Sequence, residues 1–370
     1  MGKSLEEIAI QLKDCSKKIQ LIYAFNGVGK TRLSRAFKEL IAPKNESDEE
    51  TGLSSKKILY YNAFTEDLFY WDNDLRNDIH PKLKIHPNVF TEWVFVEQGQ
   101  ERNVISNFQN YVNNKALTPE FKDGFSEVTF SLRRGNDQDI ENIKISKGEE
   151  SNFIWSVFYS LLEQVVEVLN IPEESDRETD KLNKLEYIFI DDPVSSLDDN
   201  HLIQMAVNLA EVIRKSESQL KFIITTHSPL FYNVLFNELK IKNNGYMLEK
   251  NEDGSFDLDT RYGDSNKNFS YHRHLMDIIK QAIEENKIEK YHFTLLRNLY
   301  EKAANFLGYA HWSDLLPDDK ELYAARVMNF YSHRTLLNEE VAQPTEAEKQ
   351  IVKVLFNHLI DNAKFWKESD

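Results

Sequence analysis

Between Ile19 and Ile41 the sequence runs without a break from an apolar stretch, through a glycine-bearing turn, into a helical pattern: "IQLIYAFNGVGKTRLSRAFKELI". No other stretch constrains the chain as much. Ile19 to Ala24 is the length of a buried strand, and "KTRLSRAFKELI" spaces its apolar residues as a helix does. The link, Ala24-Phe25-Asn26-Gly27-Val28-Gly29-Lys30-Thr31, has the residue types of a phosphate cradle. Glycines let successive backbone N–H groups curl around an anion at a helix N-terminus. The lysine then neutralises the β and γ oxygens, and the threonine hydroxyl is a ligand for Mg2+. Ala24 stands where the usual pattern has its first glycine. The expected nucleotide contacts are Asn26, Gly27, Val28, Gly29, Lys30, Thr31 and Arg32.

Three later stretches have matching chemistry. "YIFIDDPVSSLDD" is four apolar strand residues ending in two acids, Asp191 to hold the metal and Asp192 to polarise an attacking water. "ISKGEES" places Ser146, Gly148 and Glu149 at the start of a helix, a second N-terminus suited to an anion. "FIITTHSP" ends a strand on His227, within expected reach of a γ-phosphate. The strands "YIFI" and "KFIITT" each precede a helix pattern, as a parallel α/β sheet requires.

Taken in order, these four stretches resemble the ABC-type ATPase family over about residues 18–235: Walker A, signature, Walker B with D-loop, and switch histidine. The departures are Ala24, the signature "SKGEE", and Asp192 where many members carry Glu. An acid one methylene shorter implies slow or differently arranged hydrolysis. For the Q-loop, Asn62 and Gln98 are both open. The resemblance implies ATP or GTP with Mg2+, sandwiched twice in a head-to-tail homodimer.

Elsewhere, "PKNESDEETGLSSK" reads as a loop and "KKILYYNAF" as a strand. "VTFSLRRGNDQDIENIKIS" reads as a hairpin around Gly135-Asn136-Asp137, and Ser151 to Leu169 as a long apolar helix. "PEESDRETDKLNK" reads as a solvated loop close to disorder, and "YMLEKNEDGSFDLDTRY" as a final hairpin. From His272 onward the patterns are helical: "LMDIIKQAIEENK", "FTLLRNLYEKAANFLGY" and "EKQIVKVLFNHLIDNAKFW". The expected plan is an α/β P-loop ATPase domain over residues 1–260, then a mainly α-helical domain over 261–370.

The formal net charge of −16 argues against broad, unspecific attraction to nucleic acid. Its distribution is uneven: residues 261–370 carry 15 Lys/Arg against 17 Asp/Glu, so the tail is near neutral. The single cysteine, Cys15, precludes an internal disulfide and suits a reducing cytoplasm. No stretch approaches the ~18 apolar residues of a membrane span, and the first residues are too polar for a signal peptide. The expected location is cytoplasmic.

The tail has its own constellation. In "HFTLLRNLYEKAANFLGY", Arg297 and Glu301 are four residues apart and can touch. An ordinary surface pair at this spacing contributes about 0.3–0.5 kcal/mol. Two details point further: Arg precedes Glu, the weaker order for the helix dipole, and Arg297 falls on the stripe of Phe293, Tyr300, Ala304 and Leu307. A partly buried charge needs a partner or a task. In "ARVMNFYSHRT", Arg326 and His333 are seven residues apart, nearly two helical turns, and so share a face. His272, His274, His292, His311 and His358 lack such a partner and read as structural or surface residues. A His/Arg/Glu set suits RNA cleavage. One group takes the ribose 2′-OH proton, another protonates the leaving 5′-oxygen, and guanidinium stabilises the phosphorane between.

Arg326-x6-His333 resembles the Arg-x4–6-His signature of HEPN-type ribonucleases. With "ILYYNAFTEDLFYWDND", "RYGDSNKNFSYH", "LLRNLYEKAA" and "NFYSH", the whole chain resembles the PrrC family of bacterial anticodon nucleases, to which the larger RloC nucleases are related. That resemblance implies a HEPN-like nuclease domain in which Arg297, Glu301 and His333 form the catalytic triad, with Arg326 beside them. It further implies cleavage of tRNA-Lys 5′ to the wobble base, leaving a 2′,3′-cyclic phosphate and a 5′-hydroxyl, in antiphage defence. Asp264, Ser265 and Asn266 would read the modified wobble nucleotide. The family also implies dTTP as a further nucleotide, and silencing by a type I restriction–modification complex. The competing expectation is a non-nucleolytic ABC/SMC-like defence or repair ATPase whose helical tail only docks partners.

Overall fold

The computed structural model describes residues 2–43, 57–62, 68–73, 80–86, 89–122, 124–133, 140–193, 197, 199–241, 245–261, 271–317 and 344–362. The chain divides into two compact units, Met1–Asn268 and Phe269–Asp370.

Among the described residues, ten strands lie in the first unit. In chain order they are β1 (Ile19–Tyr23), β2 (Ile58–Tyr61), β3 (Phe69–Asp72), β4 (Lys82–Ile85), β5 (Leu117–Lys122), β6 (Glu127–Leu132), β7 (Tyr187–Asp191), β8 (Lys221–Thr226), β9 (Gly245–Lys250) and β10 (Phe256–Arg261). Six form one sheet in the order β10-β9-β1-β8-β7-β2. All pairs in it are parallel except β9 with β10, the expected final hairpin. The register brings three strand ends to one edge: Thr225 lies opposite both Ile22 of β1 and Asp191 of β7. Ligands of open α/β sheets bind at that carboxyl edge.

Parallel strands covered on both faces read as continuous apolar runs. Every residue of β7, and all of β8 after Lys221, is buried. One face is covered by α1 (Leu5–Asp14) and α2 (Lys30–Ile41), whose Leu5, Ile8, Leu33 and Phe37 pack with Ile22, Phe189, Ile223 and Leu248. Ser4 starts α1 with a capping box to Glu7. Against β1 and β9 lies α7 (Pro229–Glu238); its Tyr232 ring meets Tyr23. Gly245 has to be glycine there, because a Cβ would fall 2.5 Å from the Tyr232 hydroxyl and 2.7 Å from Phe236.

The remaining four strands form an antiparallel sheet, β3-β4-β6-β5, flanked by α3 (Val89–Glu92, continuing as a π-helical turn to Glu97) and α4 (Glu101–Tyr111). Helix α5 (Lys147–Leu169) joins the two sheets and is buried nearly all round. Its Trp155 and Phe158 meet Tyr61 of β2, while Phe153 meets Phe69, Phe108, Phe121 and Phe130 on the other side. A helix apolar on every face has this kind of burial as its usual cause. Helix α6 (Asp199–Lys215) follows β7.

One sequence expectation holds in part and another needs correction. The return after Val128 is antiparallel: Leu132 and Ile140 exchange both backbone hydrogen bonds, at 2.9 and 3.1 Å, and the Ile143 N–H donates to the Phe130 carbonyl at 2.9 Å, while Gly135-Asn136-Asp137 lie outside the described residues. One edge of β6 is taken by β5, and the other is shared between β4 near its start and an isolated bridge, Leu132 to Ile140, at its end. The charged stretch after Pro172 is anchored, not disordered. Arg177 donates to the Ile171 carbonyl at 3.0 Å and to Asn183 Oδ1 at 2.7 Å, and Leu182 is buried.

The second unit is helical: α8 (Tyr271–Glu284), α9 (Lys290–Leu307), a 3-10 turn at Trp312–Leu315, and α10 (Glu346–Asn362). Leu275, Ile279, Phe293, Leu296, Tyr300, Val352 and Phe356 build its core. The Tyr300 hydroxyl donates to the Leu355 carbonyl at 2.9 Å. Leu307 is a further correction. It lies off the expected stripe, 44% exposed, because α9 ends there on Gly308 at φ 79°.

Candidate functional site

The loop between β1 and α2 sits at the carboxyl edge of the parallel sheet. Ala24 is fully buried and its N–H donates to the Thr226 carbonyl at 3.0 Å. It extends the strand, a task that needs no glycine. The next residues do need one: Gly27 has φ 82° and Gly29 φ 124°. A Cβ on Gly27 would meet nothing within 4 Å, so the loop opens outward there. Gly29 caps α2 without a side-chain hydrogen bond, leaving first-turn N–H groups for an anion.

Lys30 arches back over this loop. Its ammonium, on a side chain only 6% exposed, lies 3.1 Å from the Ala24 carbonyl, 3.3 Å from that of Phe25 and 3.2 Å from Asn26 Oδ1. The Asp192 carboxylate is 3.3 Å away. Asp192 adopts φ 52° and in turn faces His227. It accepts from the His227 backbone N–H at 3.1 Å, and His227 Nδ1 is 2.8 Å from both of its oxygens. Facing an acceptor-only carboxylate, Nδ1 carries the proton. Burial alone would raise the Asp192 pKa; the His227 hydrogen bond and the Lys30 charge outweigh it and hold the group below the usual carboxylate range.

Asp191 has the opposite balance. Burial pushes its carboxyl up, against hydrogen bonds from Thr225, Thr31 and Ser34. Thr225 Oγ1 donates to Oδ1 at 2.6 Å and Ser34 Oγ to Oδ2 at 3.1 Å. Thr31 and Asp191 thus place a hydroxyl and a carboxylate side by side, the hard oxygen pair that Mg2+ prefers. With the open glycine loop, these residues fit a magnesium nucleotide. Tyr60 OH lies 2.7 Å from Ser34 Oγ and accepts from Asn62 Nδ2 at 2.9 Å. Burial pushes the Tyr60 phenol up, so it stays a neutral donor.

The structure therefore gathers Asn26, Gly27, Val28, Gly29, Lys30, Thr31, Asp191, Asp192 and His227. Arg32 turns its guanidinium over the Phe256 ring of β10, 5.9 Å from the centroid. Ser146, Gly148 and Glu149 form a different place, the start of α5. There Ser146 Oγ accepts from the Glu149 N–H at 3.3 Å and Glu149 Oε2 from the Ser146 N–H at 2.7 Å. The next residue, Glu150, is buried and accepts from Trp71 Nε1 at 2.9 Å and Lys147 at 2.7 Å, tying this helix start to β3. Of the two Q-loop candidates, Asn62 joins the nucleotide residues through Tyr60. The Gln98 backbone N–H donates to the Trp93 carbonyl, at the end of the π-helical turn.

In the helical unit, Arg297 Nε donates to Glu301 Oε1 at 2.7 Å, with side-chain exposures of 18% and 40%. The guanidinium also lies over the Trp312 ring, 5.6 Å from its centroid. His292 is buried and accepts from the Glu289 N–H; His311 caps the 3-10 turn; His358 faces the Leu315 carbonyl. Arg326, His333, Asp264, Ser265 and Asn266 lie outside the described residues. Sequence reasoning missed Ser34, Tyr60, Thr225, Trp71 and Trp312. Ser34 had a signal: three residues after Thr31 is one helical turn, the same face.

A glycine-hinged strand-to-helix loop closed by lysine, with an aspartate pair on a parallel neighbour strand, defines a P-loop NTPase domain, here followed by a helical unit. The chain matches the AAA domain family over residues 120–359. It is 59% identical to the anticodon nuclease of Escherichia coli over 396 aligned residues, covering 100% of this chain and 99% of that protein. The chain belongs to the anticodon nuclease family. Solved structures with fainter likeness include the SMC head bound to the C-winged helix domain of ScpA, at 10% identity and TM-score 0.36, covering 69% of this chain and 93% of that one. Another is the SMC head domain from Thermotoga maritima, at 11% and 0.34, covering 66% and 91%. Among the described residues, no helix is long and apolar enough to cross a membrane.

Proposed function

We propose that this chain is a nucleotide-gated endoribonuclease that nicks tRNA in the anticodon loop. The observation that carries this reading is end-to-end identity of 59% to an anticodon nuclease. The hydrogen-bonded Arg297–Glu301 pair supports it from the helical side. Arg297, Glu301 and His333 are the reacting set, with Arg326 beside them. His333 and Glu301 handle the two protons: one comes off the ribose 2′-OH as it attacks phosphorus, and one goes to the departing 5′-oxygen. Arg297 and Arg326 stabilise the charge on the pentacoordinate phosphorus. Bond formation and cleavage both occur within the RNA, so the products are a 2′,3′-cyclic phosphate and a 5′-hydroxyl, and the cutting step needs no metal. The substrate is tRNA-Lys, cut 5′ to the wobble base, with Asp264, Ser265 and Asn266 reading that base.

The other unit decides when cutting occurs. Asn26 to Arg32 and His227 bind ATP or GTP, Thr31 and Asp191 hold Mg2+, and dTTP is a further ligand. Bound Mg2+ supplies neutralisation of phosphate charge. Asp192 positions Lys30 and His227, and Ser146, Gly148 and Glu149 complete the site of a second copy in a homodimer. Hydrolysis then acts as a timer, within an antiphage response restrained by a type I restriction–modification complex. The test is a synthetic anticodon stem-loop whose nucleotide 5′ to the scissile phosphate is 2′-deoxy. The ribose form should be cut and the deoxy form should resist; equal cutting of both rejects the mechanism.

A further inference from the structure

Ser34, Tyr60 and Asn62 have no place in the phosphate loop or the acid pair, yet they form one chain of hydrogen bonds. Ser34 is fully buried and Asn62 nearly so. From the end of β2, Asn62 Nδ2 donates to Tyr60 OH at 2.9 Å. Tyr60 OH and Ser34 Oγ are 2.7 Å apart, and Ser34 Oγ is 3.1 Å from Asp191 Oδ2 and 3.0 Å from the Thr31 carbonyl. Proton counting orients the chain. The Tyr60 oxygen already accepts from an amide that can only donate, so its own hydrogen is free for Ser34, whose hydrogen then goes to Asp191 or to the Thr31 carbonyl. With Thr225 bonded to the other oxygen, Asp191 is fixed at both ends.

Resting on the reading of this site as one for a magnesium nucleotide, we infer that Ser34, Tyr60 and Asn62 are a positioning relay that sets the Asp191 carboxylate for Mg2+. Without the Ser34 donor the Oδ2 side of the carboxylate is held less firmly and would meet the metal less often in the required direction. Tyr60 is a positioning residue: its hydroxyl bonds Ser34, and it acts on Asp191 through that hydroxyl. Asn62 directly follows β2 and connects to Asp191 through three hydrogen bonds.

The experiment is equilibrium binding of a fluorescent, non-hydrolysable ATP analogue to the full chain, with Mg2+ and with EDTA. The wild type should bind more tightly with Mg2+. Tyr60→Phe, which removes one oxygen and keeps the ring, should lose about three- to tenfold of that Mg2+-dependent gain, the size of one hydrogen bond between neutral groups. Its affinity in EDTA should be unchanged. Ser34→Ala should lose as much, and the double variant no more than either single one, because the residues act in series. A wild-type Mg2+ gain that Tyr60→Phe and Ser34→Ala both retain would overturn the relay alone. A wild type that binds no analogue in either buffer would overturn the nucleotide reading and the relay with it. Should Ser34→Ala unfold, the Tyr60→Phe comparison decides by itself.

Discussion

His227 Nδ1 lies 2.8 Å from both carboxylate oxygens of Asp192, and the same carboxylate is 3.3 Å from Lys30. One acid thus holds the cation of the phosphate loop and the histidine that ends β8. Asp192→Asn keeps the shape and removes the charge. Lys30 then faces only neutral acceptors, and the protein should lose about 1–3 kcal/mol of stability without nucleotide, read from denaturant unfolding. An unchanged midpoint would mean that the three groups are only neighbours.

Lys30→Met removes the one ammonium among the loop carbonyls. Nucleotide affinity should fall about ten- to a hundredfold, the cost of a lost hydrogen bond to phosphate charge. Isothermal titration with ATP and with GTP measures this and compares the two nucleotides in the wild type.

Gly29→Ala should be costly for a different reason. At φ 124° an L side chain is strained, and its Cβ would lie 3.4 Å from the Phe256 ring. About 1–3 kcal/mol of strain is expected. Nucleotide binding and thermal stability should fall together, whereas Gly27→Ala, whose Cβ meets nothing within 4 Å, should affect stability less.

Phe153→Ala tests how the two sheets are joined. Its ring is fully buried among Phe69, Phe108, Phe121 and Phe130, and the cavity should cost about 3–5 kcal/mol. Calorimetry of the full chain gives the value.

A pH effect is expected at Glu163 on α5, where Asn107 Nδ2 donates to Oε2 at 3.1 Å. Burial raises its carboxyl above the ordinary value, opposed by Asn107 and reinforced by Glu167. A carboxyl raised in the folded state binds protons more tightly there, so its contribution is most favourable at low pH and is lost as pH rises through the folded pKa. Glu163→Gln, which mimics the protonated form, should raise Tm at pH 8 and leave it unchanged at pH 4. A lowered Tm at pH 8 would reverse the sign of the argument.

The sequence made some of this legible and hid the rest for physical reasons. The β1 loop, the Asp pair and His227 were visible because backbone freedom, charge and strand ends leave local marks. Thr225 and Tyr60 left none, since their partners are distant in sequence: strand register brings Thr225 to Asp191, and the packing of α2 on the sheet brings Ser34 to Tyr60. Helix α1 is short and amphipathic, and its polar residues spoke against a signal peptide without pointing to Leu5 and Ile8 as core. The antiparallel sheet was hidden because β3 and β4 are four residues each, too short for alternation to declare itself. Arg177 shows why charge misled: a guanidinium in a polar stretch can anchor a loop through backbone carbonyls. At Arg297 the spacing to Glu301 and the apolar stripe sufficed for the pair, but Trp312 came from beyond the helix end.

The most direct test of the central claim is to map 5′-hydroxyl RNA ends in cells expressing the wild type, His333→Ala or Arg297→Ala. Wild-type cells should accumulate one dominant new end in a tRNA anticodon loop, 5′ to the wobble base, and both variants should lack it. Ends that persist undiminished in the His333→Ala strain, or that fall outside anticodon loops in the wild type, would contradict the account.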